Sequence, residues 1–180
     1  MKQFIFEWRK YLNENEEEKL DLSFIQIKSF AVPTEEAVRE IVSHGPIIEI
    51  GAGKGYWAKK ITDAGGDILA YDAYLDKELY FPVQKGGPEK VKNTDRTLFL
   101  CYPDLDSNMA FRCLRNYEKQ LMQGKKLLVI GEEGITADDR FWIGLENLGL
   151  RKKTIRLPHI SSYYADLHVY WMSNESQPKE

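Results

Sequence analysis

Glu49-Ile50-Gly51-Ala52-Gly53-Lys54-Gly55 is the stretch on which the fold of this chain turns. The short apolar run Ile47 to Ile50, broken only by Glu49, stands directly before three glycines at alternate positions. From Tyr56 to Ala64, Trp57, Ala58 and Ile61 recur at helical spacing. A strand buried on both faces reads as such a run, and glycines between it and a helix predict a parallel strand turning tightly into its crossover helix.

Working outward, the same alternation repeats. Upstream, Thr34 is placed to cap a helix from Glu35 to about Ser43, with glutamates at its positive end and Gly45-Pro46 as its stop. Downstream, Gly65-Gly66 closes the first crossover helix and Asp67 to Asp72 reads as the next strand. The stretch from Ala73 to Arg96 is rich in glycine, proline and lysine, and leaves room for one irregular crossover with Phe81-Pro82-Val83 as a short strand. Thr97 to Cys101 is a buried strand, followed by a helix capped by Ser107 that carries Ala110, Phe111, Leu114, Tyr117 and Leu121 on one face and ends at Gly124. Lys126 to Ile130 is a further strand, and Thr136-Ala137-Asp138-Asp139 resembles a capping box opening a helix through Phe141, Trp142, Leu145 and Leu148 to Gly149. Lys152 to Ile155 and Leu167 to Met172 then break the alternation and suggest a terminal antiparallel pair. The sum is an α/β, three-layer, Rossmann-like architecture: a mostly parallel sheet with helices on both faces and a C-terminal antiparallel strand pair.

At 180 residues and 43% hydrophobic content the chain can bury one substantial core. Its predicted organisation is an N-terminal helix and lead-in over residues 1–30, the α/β domain over 31–172 and a flexible polar tail over 173–180. In the first segment Phe4, Ile5, Trp8, Tyr11 and Leu12 fall at helical spacing, and Leu22 to Phe30 shows no clear period. A net charge of -3 supplies no global positive field, so nucleic acid and anionic membranes are disfavoured as partners. Neither a signal-peptide stretch nor a membrane span is evident, and a cytoplasmic location is expected. Cys101 and Cys113 read as reduced core thiols, with no metal-ligand pattern around them.

In a sheet of this kind ligands bind beyond the carboxyl ends of the strands where strand order reverses, and the first strand-helix turn is the usual contact. Glycines there either make a plain tight turn or let the main chain approach a ligand. The dinucleotide pattern needs glycine at the first, third and sixth positions, but Tyr56 stands at the sixth, which weakens a nicotinamide dinucleotide. A triphosphate loop needs Gly-Lys-Ser/Thr, which Gly53-Lys54-Gly55 does not provide, and Lys54 is expected to face solvent. An acid two places before Gly-x-Gly-x-Gly suits S-adenosylmethionine, which carries an ammonium and a sulfonium and no pyrophosphate. Glu49 is otherwise a buried carboxylate bonding nearby amides. Asp72, ending the second strand, is either a turn residue or the acceptor for two ribose hydroxyls, and beside this loop it favours the ribose.

The blocks Ala31 to Glu36, Glu49 to Ala58 (EIGAGKGYWA), Ala70 to Ala73, Leu98 to Asp104 (LFLCYPD) and Gly131-Glu132-Glu133 resemble class I S-adenosylmethionine-dependent methyltransferases, most of all a small, little-characterised branch of them. The likeness runs from about Phe30 to Trp171. It implies the methyltransferase form of the Rossmann-like fold and a cofactor site made of Glu49, Gly51, Ala52, Gly53, Gly55, Tyr56, Asp72, Ala73 and Cys101. It also puts Cys101-Tyr102-Pro103-Asp104 at the mouth of the site, where enzymes that methylate amino groups often carry Asp/Asn-Pro-Pro-Tyr. That departure speaks against base methylation. Candidate catalytic residues are Tyr102, Asp104 and Glu132, with Asp104 alternatively a cap or turn residue and only one of Glu132 and Glu133 able to face the site. His159, Tyr163 and Tyr164 could form a lid or an ordinary surface loop, and His44 and His168 read as structural. Of the aromatics Phe30, Tyr56, Trp57, Tyr71 and Tyr74, Tyr56 is the one expected to touch the cofactor.

The expected function is therefore methyl transfer from S-adenosylmethionine to an unidentified small molecule or protein. A catalytically silent module of the same fold and, further off, an NAD-dependent oxidoreductase are the competing readings.

Overall fold

The computed structural model describes residues 28–158 and 165–173. The helix expected around Phe4 to Leu12, the loop residues His159, Tyr163 and Tyr164, and the tail beyond Ser173 lie outside the described residues.

The chain order is α1 (Glu35–Ser43), β1 (Ile47–Ile50), α2 (Tyr56–Asp63), β2 (Ile68–Asp72), β3 (Val83–Lys85), a 3-10 turn (Pro88–Val91), β4 (Thr97–Cys101), α3 (Met109–Met122), β5 (Leu127–Gly131), α4 (Asp139–Asn147), β6 (Arg151–Ile155) and β7 (Asp166–Trp171). The seven strands form one sheet in the order β3-β2-β1-β4-β5-β7-β6. β1 to β5 are mutually parallel, whereas β7 runs antiparallel to both β5 and β6. Every residue of β1 is buried, as a central strand covered on both faces requires.

Helices α1 and α2 press Ala37, Val38, Ile41, Trp57 and Ile61 onto one face of the sheet, while α3 and α4 press Leu114, Tyr117, Leu121, Phe141 and Leu145 onto the other. Strand order reverses between β1 and β4, so the carboxyl ends of those two strands diverge into a crevice there. Among the described residues no helix is long and apolar enough to cross a membrane.

Three local expectations are corrected. β3 begins at Val83, with Phe81 and Pro82 ahead of it, because proline has no N–H to give to the ladder with β2. The cap of α3 is Asn108, without a side-chain bond, and Ser107 Oγ instead accepts from the Met109 amide at 3.2 Å. At α4 the cap is Asp138, whose carboxylate accepts from the Phe141 amide at 3.1 Å. Thr136 is fully buried and ties the turn after β5 to itself, accepting from Glu132 N–H at 3.0 Å and donating to the Glu132 carbonyl at 3.1 Å.

Candidate functional site

The β1–α2 turn is left-handed at all three glycines, with φ of 79° at Gly51, 54° at Gly53 and 76° at Gly55. The three differ in what else they do. A Cβ on Gly53 would meet nothing within 4 Å among the described residues, so this is where the main chain lies open to a ligand. A Cβ on Gly55 would stand 2.9 Å from both Phe81 Cβ and Val83 Cγ2, so Gly55 is needed for the packing of the β2–β3 crossover against the start of α2. Gly55→Ala is expected to destabilise the fold by about 2–4 kcal/mol, from left-handed strain plus overpacking. Gly53→Ala has only the strain and should cost about 1–2 kcal/mol. Urea unfolding of the two variants side by side measures the difference, and equal losses would contradict this assignment of roles.

Four of the loop's amide hydrogens are already engaged. Gly51 and Ala52 both donate to the Tyr71 carbonyl, at 2.9 and 3.1 Å, and Gly55 donates to the Ala52 carbonyl at 2.8 Å. Gly53 donates to Asp72 Oδ2 at 2.8 Å, and the other carboxylate oxygen of Asp72 accepts from Tyr74 at 2.9 Å. A phosphate cradle works by presenting unspent N–H groups. This turn gives two of those four to the Tyr71 carbonyl of β2, one to its own Ala52 carbonyl and one to Asp72. What it leaves over is an acceptor: Glu49 is 1% exposed, and its Oε2 has no hydrogen-bond partner among the described residues. Burial, and secondarily the Asp72 charge, push the Glu49 carboxyl up to about 8.

Glu49 opens into a pocket of about 230 Å³ whose walls are Gly51, Ala52, Gly53, Lys54, Tyr56, Trp57, Cys101 and Tyr102, with Lys28, Ser29 and Phe30 along the remaining side. It lies at the crevice between β1 and β4. Glu49, Gly51, Ala52, Gly53, Tyr56, Cys101 and Tyr102 are thus brought together. Gly55 is buried behind the turn, and Asp72 and Ala73 lie at the end of β2, outside the walls of this pocket but joined to it through the Gly53 amide. Lys54, expected to face solvent, instead lines the pocket and pairs with Asp76 at 3.5 Å, its side chain about one-third exposed (31%). Cys113 is buried away from the pocket among the residues of α3, whereas the Cys101 thiol lines it and is raised well above its ordinary value, first by burial and then by Glu49. It is a neutral wall residue there and not a thiolate nucleophile.

Tyr102 adopts φ of 50°, uncommon for a bulky residue, and its ring stacks on Phe30 at 5.0 Å and 19°. Asp104 is exposed and its Oδ1 accepts from the Asp106 amide at 3.0 Å, closing a turn outside the pocket. Glu132 lines a separate depression shared with Glu133, Lys152, Arg156, Asp166 and His168 near the far edge of the sheet. His44 ends α1 beside Glu40 at 3.2 Å, and His168 Nδ1 lies 2.9 Å from Thr154 Oγ1. Of the wall contributed by Lys28, Ser29 and Phe30, the sequence points only to Phe30, as one of the aromatics around the loop. That segment has no periodicity to mark it, and contacts made by folding hold it there, among them the Phe30–Tyr102 stack and the Lys28 ammonium 5.6 Å from the Tyr56 ring centre.

No family model and no curated protein matches the chain. Solved structures do. Magnesium protoporphyrin IX methyltransferase from Synechocystis PCC 6803, with bound SAM, superposes with a TM-score of 0.51 at 10% identity, over 94% of this chain and 92% of that one. A Sulfolobus solfataricus protein provisionally assigned as a type 11 methyltransferase gives a TM-score of 0.54 at 15% identity, over 83% and 98%. The chain also matches human N-acetylserotonin methyltransferase in complex with SAM (TM-score 0.47, 14% identity), with 95% of this chain spanning 63% of that enzyme's length. At such identities the likeness is one of fold: the chain has the Rossmann-like fold of the class I S-adenosylmethionine-dependent methyltransferases.

Proposed function

We propose that the chain binds S-adenosylmethionine and transfers its methyl group to a small molecule or a protein. The observation that carries this reading is the buried carboxylate of Glu49, its Oε2 without a hydrogen-bond partner among the described residues, lining a pocket at the strand-order reversal of a methyltransferase fold. A buried acceptor of this kind calls for a cationic donor, and an amino-acid ammonium is one. The residues present fit the group: Glu49 would hold the ammonium, Gly53 would let the cofactor lie against bare main chain, and Asp72 would accept from the ribose hydroxyls.

When bound, the cofactor supplies a methyl group on a positively charged sulfur. The protein's part is then alignment and exclusion of water. Tyr102, fixed by its backbone and by Phe30, stands at the mouth and would orient the acceptor. Asp104 and Glu132 lie outside the pocket, so the acceptor suited to this site is one that brings its own available lone pair. That same arrangement gives substance to the second reading, a module that binds the cofactor and leaves it intact.

Thermal melting with S-adenosylmethionine, S-adenosylhomocysteine, NAD or no ligand tests the binding. Shifts with the first two alone are expected, and a response to NAD equal to theirs would refute the proposal. Transfer of labelled methyl groups into fractionated lysate separates the enzyme from the silent module.

A further inference from the structure

Glu49 is not the only buried group in this pocket whose hydrogen bonding is incomplete. Trp57, 2% exposed, lines the same pocket, and its indole Nε1 has no acceptor among the described residues. The contrast with Trp142 is direct, since that indole donates to the Thr136 carbonyl at 2.6 Å. A buried indole N–H is a donor only and usually finds an acceptor. One unpaired carboxylate oxygen and one unpaired N–H on the walls of a single pocket are the complement of a ligand end that carries both a cation and an anion.

We propose that Trp57 Nε1–H donates to the carboxylate of the bound cofactor's amino-acid end, making Trp57 the residue that selects an intact α-amino acid there. This rests on the function proposed above and adds to it a second specificity contact. The setting favours an anion: Trp57 is the second residue of α2, where the helix dipole is positive, and the first turn of α2 holds no acidic side chain. Lys28 and Lys54 line the same pocket and add positive charge to that wall. Edge-to-face packing on Phe99 at 5.8 Å and 66° fixes the indole plane, so the N–H direction is set before anything binds.

The test is a cycle between protein and ligand, read by calorimetric titration. The ligands are S-adenosylmethionine, its decarboxylated form, which keeps the ammonium and the sulfonium, and 5′-methylthioadenosine, which lacks the amino-acid end. Trp57→Phe is expected to weaken S-adenosylmethionine about tenfold or more, the usual effect of losing a hydrogen bond to a charged group. The other two ligands should change less than about twofold, because neither has the carboxylate. Equal losses for all three, or no loss for S-adenosylmethionine, would overturn the proposal and leave Trp57 a packing residue. If Trp57→Phe does not fold, benzothienylalanine at position 57 keeps the ring shape without the N–H, and the same three titrations decide. Failure of the wild-type chain to bind any of the three would instead sink the cofactor reading itself.

Discussion

Glu49→Gln is expected to weaken S-adenosylmethionine binding by about 100-fold or more while making the unliganded protein more stable at neutral and alkaline pH. The two effects have one origin. Glu49 is fully buried and its carboxyl titrates at about 8 in the folded chain, against 4.5 when exposed. Between those values the folded state holds a proton that the unfolded state has released. Stability therefore falls as pH rises from about 4.5 to about 8 and levels off above that. The amide has nothing to titrate and fills the same space, so the variant should gain on the wild type through that window, by a few kcal/mol at its upper end as an order of magnitude. Melting curves from about pH 5 to about pH 9 measure the gain, and parallel curves for the two proteins would contradict it.

Binding carries the opposite sign. An ammonium requires the carboxylate, so wild-type affinity should climb by up to about tenfold per pH unit below the carboxyl's own value and flatten near pH 8. Glu49→Gln removes the counter-charge and with it this dependence. A variant that keeps wild-type affinity would show that Glu49 is buried for structural reasons alone.

What could be read from the residues beforehand follows from how strongly each position is constrained. β1 and β4 are buried on both faces, so their apolar runs announced them, and the left-handed turn between β1 and α2 announced itself through glycines. β3 is an edge strand of three residues with two exposed, too short for any period to show. The placement of β7 between β5 and β6 was not legible either, because an antiparallel pair at the C-terminus is compatible with either order. It shows in retrospect in the exposed Arg151 to Thr154 of β6, a charged edge of the sort that discourages further pairing.

The site was legible where a single residue type is demanded by backbone geometry or charge, as at Gly51, Gly53 and Glu49. It was obscure where proximity is made by folding. Gly55 looked identical to its neighbours in sequence and is set apart only by Phe81 and Val83 packing across it. Trp57 has the spacing of a core residue and is one, yet the one polar atom of its side chain has no partner among the described residues, in a residue that lines the pocket. Glu132 follows directly on β5, which ends at Gly131, and is delivered to the depression beside β7 and not to the crevice beside β1.

Asp72→Ala should abolish the melting shift given by S-adenosylhomocysteine and should weaken 5′-methylthioadenosine as severely, by about 100-fold for each. The reason is again a matter of donors and acceptors. Asp72 accepts from Gly53 and from Tyr74, linking the β1–α2 turn to the end of β2, and its removal frees both amides at once. It also removes the acceptor proposed for the ribose, which both ligands carry. Partial exposure keeps the loss of fold stability to about 1 kcal/mol, so the folded variant can be assayed. The Asp72 charge is also the second cause holding the Glu49 carboxyl high, so Asp72→Asn should move the plateau of the affinity-pH curve to lower pH. Loss of S-adenosylhomocysteine with methylthioadenosine retained would place Asp72 away from the ribose, and an unmoved plateau would show that burial alone sets the titration of Glu49.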